Sequence, residues 1–204
     1  ATAVDIPLSM DAENFYAETL EAVKPNLQRI FTTGVVGANI EDFTGKREQP
    51  LYDFELAVER VQAAVETISE LDYPFTLCAR TDCFLVGHED AMNESIRRLN
   101  RYREAGANCL YAPGLRDLES IKTLVKEVDG PVNVVMGLSG TPIALDELRQ
   151  AGVARISIGG SLARACFGLV RRAAREMLEQ GSFDYAQQQI ADGELGKLFR
   201  DRLK

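Results

Sequence analysis

Six short apolar segments recur along the chain, at residues 6–10, 37–40, 75–79, 109–112, 132–136 and 154–158. Between and after them run longer stretches, 14–31, 52–70, 90–105, 118–128, 144–151 and 162–180, with apolar residues at three- and four-residue spacing. Short apolar runs read as buried strands and the longer periodic stretches as amphipathic helices. Strict strand–helix alternation demands parallel strands joined by right-handed crossovers. Gly34, Gly106 and Gly152 fall where a helix must end and the next strand begin, which suits a left-handed C-cap.

Two architectures satisfy that alternation: an open doubly wound sheet or a portion of an eight-stranded barrel. No glycine-rich dinucleotide loop follows the first strand, and charged residues follow the ends of several strands. Both facts favour a (β/α)₈ TIM-type barrel. Such a barrel takes about 250 residues, so 204 residues and six units over residues 1–181, with a strand almost at the start, predict either units three to eight of a longer product or a barrel completed unusually. Residues 182–204 are expected to form a helical tail. No linker or shift of composition divides the chain.

Composition removes several functions. A formal net charge of -8 argues against nucleic acid, whose phosphates need a basic surface. No apolar run approaches the roughly 20 residues required to cross a bilayer, which predicts no membrane partner. Cys78, Cys83, Cys109 and Cys166 have no metal-type spacing, and Cys78 and Cys109 sit inside apolar runs. They read as small buried hydrophobes of a reducing cytoplasm. A single histidine, His88, disfavours a Ser-His-Asp triad and a multi-histidine zinc centre. Carboxylates, Arg, Lys, Tyr and backbone are left to carry the chemistry.

The strand ends supply them. The first strand runs into Asp11 and Glu13, the second into Glu41 and the third into Arg80. Charges at buried strand ends cost desolvation energy unless they meet a partner. A divalent cation suits several acids, and an anionic ligand suits a lone arginine. Residues two apart on an extended strand point to one side, so Asp11 and Glu13 are expected to act together. The competing reading is that these acids cap the following helices, and that Arg80 bridges Asp82 or Glu41.

Leu8-Ser9-Met10-Asp11-Ala12-Glu13-Asn14, Gly37-Ala38-Asn39-Ile40-Glu41-Asp42-Phe43-Thr44-Gly45, Ala79-Arg80-Thr81-Asp82, Gly106-Ala107-Asn108-Cys109-Leu110-Tyr111-Ala112-Pro113-Gly114, Pro131-Val132-Asn133-Val134 and Ile156-Ser157-Ile158-Gly159-Gly160-Ser161 follow one another along the chain. This ordered set resembles the isocitrate lyase / phosphoenolpyruvate mutase superfamily over nearly the whole sequence. The resemblance implies a barrel that cleaves or rearranges C–C or P–C bonds next to a carboxylate. It implies Mg²⁺ held by Asp11, Glu13 and Glu41, partly through water. It implies Arg80 on a substrate carboxylate or developing enolate, with Asn133 and Tyr111 as further substrate contacts, although Asn133 reads equally well as a satisfied core amide. It also implies dimers or tetramers that exchange their C-terminal helices.

The departures bear on the reaction. The superfamily's lyases carry a lid-loop cysteine soon after the position of Glu41, whereas Phe43-Thr44-Gly45-Lys46-Arg47-Glu48-Gln49-Pro50 has none. Lys46 is the candidate left in that loop to close over an anion. The strand ending at Tyr111 lacks the His and the Glu that mark two other branches. The expected function is a Mg²⁺-dependent lyase or hydrolase acting on a small 2-oxo or 2-hydroxy carboxylic acid. A P–C mutase or hydrolase, and a 2-oxo-acid binding protein with little turnover, are the alternatives.

Overall fold

The computed structural model describes residues 1, 4–138 and 140–201. Six strands, β1 (Ser9–Met10), β2 (Gly37–Glu41), β3 (Thr76–Arg80), β4 (Cys109–Tyr111), β5 (Val132–Val135) and β6 (Arg155–Ser157), pair in chain order. Every pairing is parallel. The sheet curls into a half-barrel with helices outside, a partial TIM-type barrel.

Helices α1 (Val23–Phe31), α2 (Phe54–Ile68), α3 (Ala91–Glu104), α4 (Leu118–Glu127) and α5 (Leu145–Gln150) connect the strands. Asp53 and Asp117 cap α2 and α4 by accepting from Glu55 N at 3.1 Å and Ser120 N at 2.8 Å. Gly106 and Gly152, just past the ends of α3 and α5, take positive φ of 107° and 86°. A Cβ on Gly106 would also meet Val65 Cγ1 at 2.9 Å.

Alternation along the strands sorts the side chains. Ala38, Ile40, Leu77, Ala79, Leu110, Val132 and Val134 face outward and join Leu27, Val58, Val61, Leu99, Leu124 and Leu148 of the helices in one core. The alternate positions, facing the barrel interior, include Asn39, Glu41, Arg80, Tyr111, Asn133, Arg155 and Ser157.

One expected helix is shortened. Residues 14–31 form α1 only from Val23, and the segment before it is a tight loop. Glu13, Phe15 and Tyr16 there have φ of 49°, 60° and 51°. Side chains rather than helix hydrogen bonds take up its carbonyls: Asn26 Nδ2 donates to Phe15 O and Tyr16 O, each at 3.0 Å.

The chain packs as two compact units, Ala1–Gly159 and Gly160–Lys204. That boundary lies N-terminal to the division at residues 181 and 182 expected from sequence. The second unit contains α6 (Ser161–Glu179), a 3₁₀ turn (Asp184–Gln188) and α7 (Asp192–Asp201). Glu176 ties the turn to α6 by accepting from Ser182 Oγ at 2.8 Å and Tyr185 N at 3.1 Å. The last residues of the expected tail, 202–204, lie outside the described residues. Among the described residues no helix is long and apolar enough to cross a membrane.

Candidate active site

Strand register places five polar side chains in one row. Glu41 pairs with Arg80, Arg80 with Tyr111, Tyr111 with Asn133, and Asn133 with Arg155. Register partners on parallel strands project to the same face of the sheet. Asn39, Cys78 and Cys109 form a second row two residues earlier. Barrel interiors are ordinarily filled by bulky branched side chains. This one is built to hold something polar.

Arg80 is already engaged. Its Nε and Nη2 donate to the two oxygens of Asp82 at 2.6 and 3.0 Å, and Nη1 lies 2.8 Å from Glu41 Oε2. The structural ion pair, set against substrate binding in the sequence reading, is the arrangement observed. Burial alone would lower the Arg80 pKa, but the hydrogen bond and charge of Asp82, with Glu41, hold it above its ordinary value. Burial pushes Glu41 up to about 7 against the pull of Arg80, with Asp82, Asp11 and Glu13 adding repulsion. Asp82 is raised by burial, with Arg80 opposing.

The acids converge without forming a cage. β1 stops at Met10 and Glu13 has left-handed backbone, so Asp11 and Glu13 do not share a face by strand alternation as expected. Asn39 aims Asp11: its Nδ2 donates to Asp11 Oδ1 at 2.9 Å, while its Oδ1 accepts from Ala12 N. Among the described residues no three His, Cys, Asp or Glu side chains are close enough together to hold a metal ion. Yet Glu41 Oε2 is buried without a hydrogen bond, and Asp11, Glu13 and Asp82 all raise its pKa. Such mutual repulsion is what a divalent cation relieves. Magnesium needs only one or two protein carboxylates when water and substrate supply the rest, so the donor set fits a loose magnesium site.

A buried network that sequence reasoning missed supports these strand ends. Asp42 Oδ2 accepts from Tyr102 Oη at 2.8 Å and Arg98 Nη1 at 3.1 Å, and Asp42 Oδ1 accepts from Asp82 N at 2.9 Å. The loop before α1 is held by buried Arg60, whose Nη2 donates to Asn14 O at 2.9 Å and Ala17 O at 2.8 Å. The Arg60 guanidinium stacks 4.3 Å from the Tyr52 ring centre.

Residues 1–178 match the family model of phosphoenolpyruvate phosphomutase. The chain belongs to the phosphoenolpyruvate phosphomutase family. It is 28% identical over 157 residues to 2-methylisocitrate lyase of Escherichia coli (strain K12), covering 73% of this chain and 51% of that enzyme. The chain thus spans about half the length of the curated relatives it matches. A crystal structure of a Burkholderia cenocepacia J2315 protein, named only as a lyase or mutase, is 42% identical with a TM-score of 0.91. That match covers 95% of this chain and 69% of the other. Phosphonopyruvate hydrolase, solved with oxalate and Mg²⁺, shares the fold at 23% identity, with a TM-score of 0.80 and coverage of 100% and 72%.

On this family barrel the remaining candidates separate. Tyr111 joins the interior row, its hydroxyl bonded to Ser157, and burial pushes its pKa up to about 12 with Arg80 opposing. Asn133 is a satisfied amide: Nδ2 donates to Ser157 Oγ and Oδ1 accepts from Arg155 Nη1, both at 3.1 Å. Lys46 is not brought to this row; it is exposed on a loop closed by the Phe43–Leu51 bridge. Arg155 and Ser157, never singled out from sequence, line a cavity of about 180 Å³ with Asp11, Asn39 and Tyr111. The available signal was a polar residue at every second position of runs otherwise read as apolar.

Proposed function

We propose that this chain carries the interior of a Mg²⁺-dependent lyase active site, which cleaves a C–C bond in a small 2-oxo or 2-hydroxy carboxylic acid through an enolate-like intermediate. The single observation behind it is the in-register row Glu41, Arg80, Tyr111, Asn133 and Arg155 beside a cavity that Asp11 enters. Asp11 and Glu41 would hold the ion, with Glu13 contributing through water. When bound, Mg²⁺ supplies Lewis-acid stabilisation of negative charge on a substrate oxygen. A fixed Arg80 charge beside Tyr111 favours the same charge development, because oriented cations and donors in a site closed to water stabilise oxyanions strongly. Tyr111 keeps its proton near neutral pH and can donate to that oxygen. The 2-methylisocitrate lyase relative and the hydrolase solved with oxalate and Mg²⁺ support the reading.

The C-terminal unit exposes Phe167, Val170 and Leu178, which supports a homodimer or homotetramer exchanging C-terminal helices. Free Cys78, Cys83, Cys109 and Cys166 suit a cytoplasmic setting.

Calorimetric titration of the full-length protein with oxalate, with and without Mg²⁺, tests the site. Binding that requires the ion is expected; none in its presence overturns the reading. Phosphate released from phosphonopyruvate, with no C–C cleavage of oxaloacetate, would assign P–C chemistry instead.

A further inference from the structure

Two arginines occupy the interior row, and their electrostatic situations are opposite. Arg80 is matched by Asp82 and Glu41. Arg155, three strands away in the same row, is exposed to the open cavity and has no carboxylate partner among the described residues. Its hydrogen bond is to neutral Asn133 Oδ1 at 3.1 Å. Ser157 fixes the other end of that amide, with Asn133 Nδ2 donating to Ser157 Oγ. Asn133 is thereby oriented with its carbonyl toward the guanidinium, and the remaining N–H groups of Arg155 are left available. The guanidinium faces the interior: it lines the cavity with Asp11 and Tyr111. It also lines a second cavity of about 310 Å³ with Cys78 and Cys109. The Arg155 charge also acts on the Cys109 thiol. Its pKa is drawn down by a hydrogen bond from Cys78 and, against burial, by the Arg155 charge.

One cavity therefore has an acidic end at Asp11, suited to a cation, and a cationic end at Arg155. A simple 2-oxo monocarboxylate seated on the metal end leaves the solvated Arg155 guanidinium without an anionic partner. We infer that Arg155 recognises a second carboxylate, so that the substrate is a short-chain 2-oxo or 2-hydroxy dicarboxylate rather than a monocarboxylate. A planar guanidinium matches a carboxylate with two parallel hydrogen bonds. Asn133 and Ser157 position the guanidinium rather than touch the substrate. The inference rests on the proposed metal-dependent site and adds to it the group that reads the far end of the ligand.

Matched ligand pairs differing only in the terminal carboxylate test it: 2-oxoglutarate against 2-oxopentanoate, with Mg²⁺, on the full-length protein. The wild type is expected to bind the dicarboxylate at least roughly tenfold more tightly, the scale of one charge-assisted contact. Arg155→Met should erase that ratio while leaving 2-oxopentanoate affinity within about twofold. Arg155→Lys should restore part of it, since a point charge replaces the fork. Equal loss for both ligands in Arg155→Met, or an unchanged ratio, overturns the inference while the metal site stands. Absence of Mg²⁺-dependent binding of either ligand to the wild type overturns both.

Discussion

Arg80 Nη1 lies 2.8 Å from Glu41 Oε2, yet that buried oxygen accepts no hydrogen bond. The pair is close in charge but poorly aligned, because the Arg80 fork is aimed at Asp82. Coulomb attraction alone does not repay the desolvation of a carboxylate with three other acids nearby.

That geometry sets a pH dependence for the metal-free protein. The folded chain holds the Glu41 proton to about pH 7, whereas the unfolded chain releases it near 4.5. The contribution is fully present below about 4.5 and is lost as pH rises through about 7. Its size is on the order of 3 kcal/mol, and Asp82, also raised, acts in the same direction. Urea unfolding in a chelator at pH 5 to 8 should show falling stability, flattened in Glu41→Gln. Adding Mg²⁺ should flatten it in the wild type. Parallel curves for the two proteins would contradict this.

Tyr102 and Arg98 share Asp42 in the core. Tyr102→Phe removes one donor and leaves the ion pair, so a loss of about 1–3 kcal/mol is expected. Arg98→Leu removes the ion-pair partner of buried Asp42, while Glu94 keeps Arg97, and should cost about 3–5 kcal/mol. Denaturant midpoints at constant slope measure both, and equal losses would refute the ranking.

Arg60 should act on the loop that presents Asp11 and Glu13. Arg60→Met removes the donors to Asn14, Ala17 and Thr19 carbonyls, each worth about 1–3 kcal/mol once left buried and unpaired. Divalent-cation affinity should weaken as well, since the loop loses its clamp. Wild-type Mg²⁺ affinity in a folded Arg60→Met protein would show that the clamp serves stability alone.

Glu13 holds left-handed backbone at φ 49°, a conformation costing an L-residue about 1–2 kcal/mol. Glu13→Gly relieves that strain while adding about 0.5–1 kcal/mol of chain entropy loss, so thermal stability should change little. Mg²⁺-dependent oxalate binding should nonetheless weaken, because a carboxylate near Glu41 is gone. A substantially lower melting temperature would show that Glu13 serves the fold instead.

Much of the architecture was legible because it is encoded locally. Apolar runs and three- to four-residue spacing located all six strands of the described sheet, and Gly106 and Gly152 marked helix ends. The loop before α1 was not legible. Its apolar spacing mimics a helix, and Arg60, Asn26 and Tyr52, outside the loop, hold its carbonyls in another form. Arg80 was located with two readings open, substrate contact or a bridge to Asp82 or Glu41, and the Glu41 contact depends on β2–β3 register. Arg155 was passed over inside a run read as apolar.

The sequence by itself determined the parallel α/β class and the family, and it picked out Asp11, Glu41, Arg80, Tyr111 and Asn133 at or beside strand ends. Periodicity and motif order are properties of neighbouring residues, so the chain displays them directly. Tertiary structure alone decided which charges are already neutralised. Register put Glu41 on Arg80 and left Arg155 with a neutral amide. Electrostatic pairing depends on distance through space rather than along the chain, and Asp42 meets a tyrosine 60 residues away as closely as any neighbour.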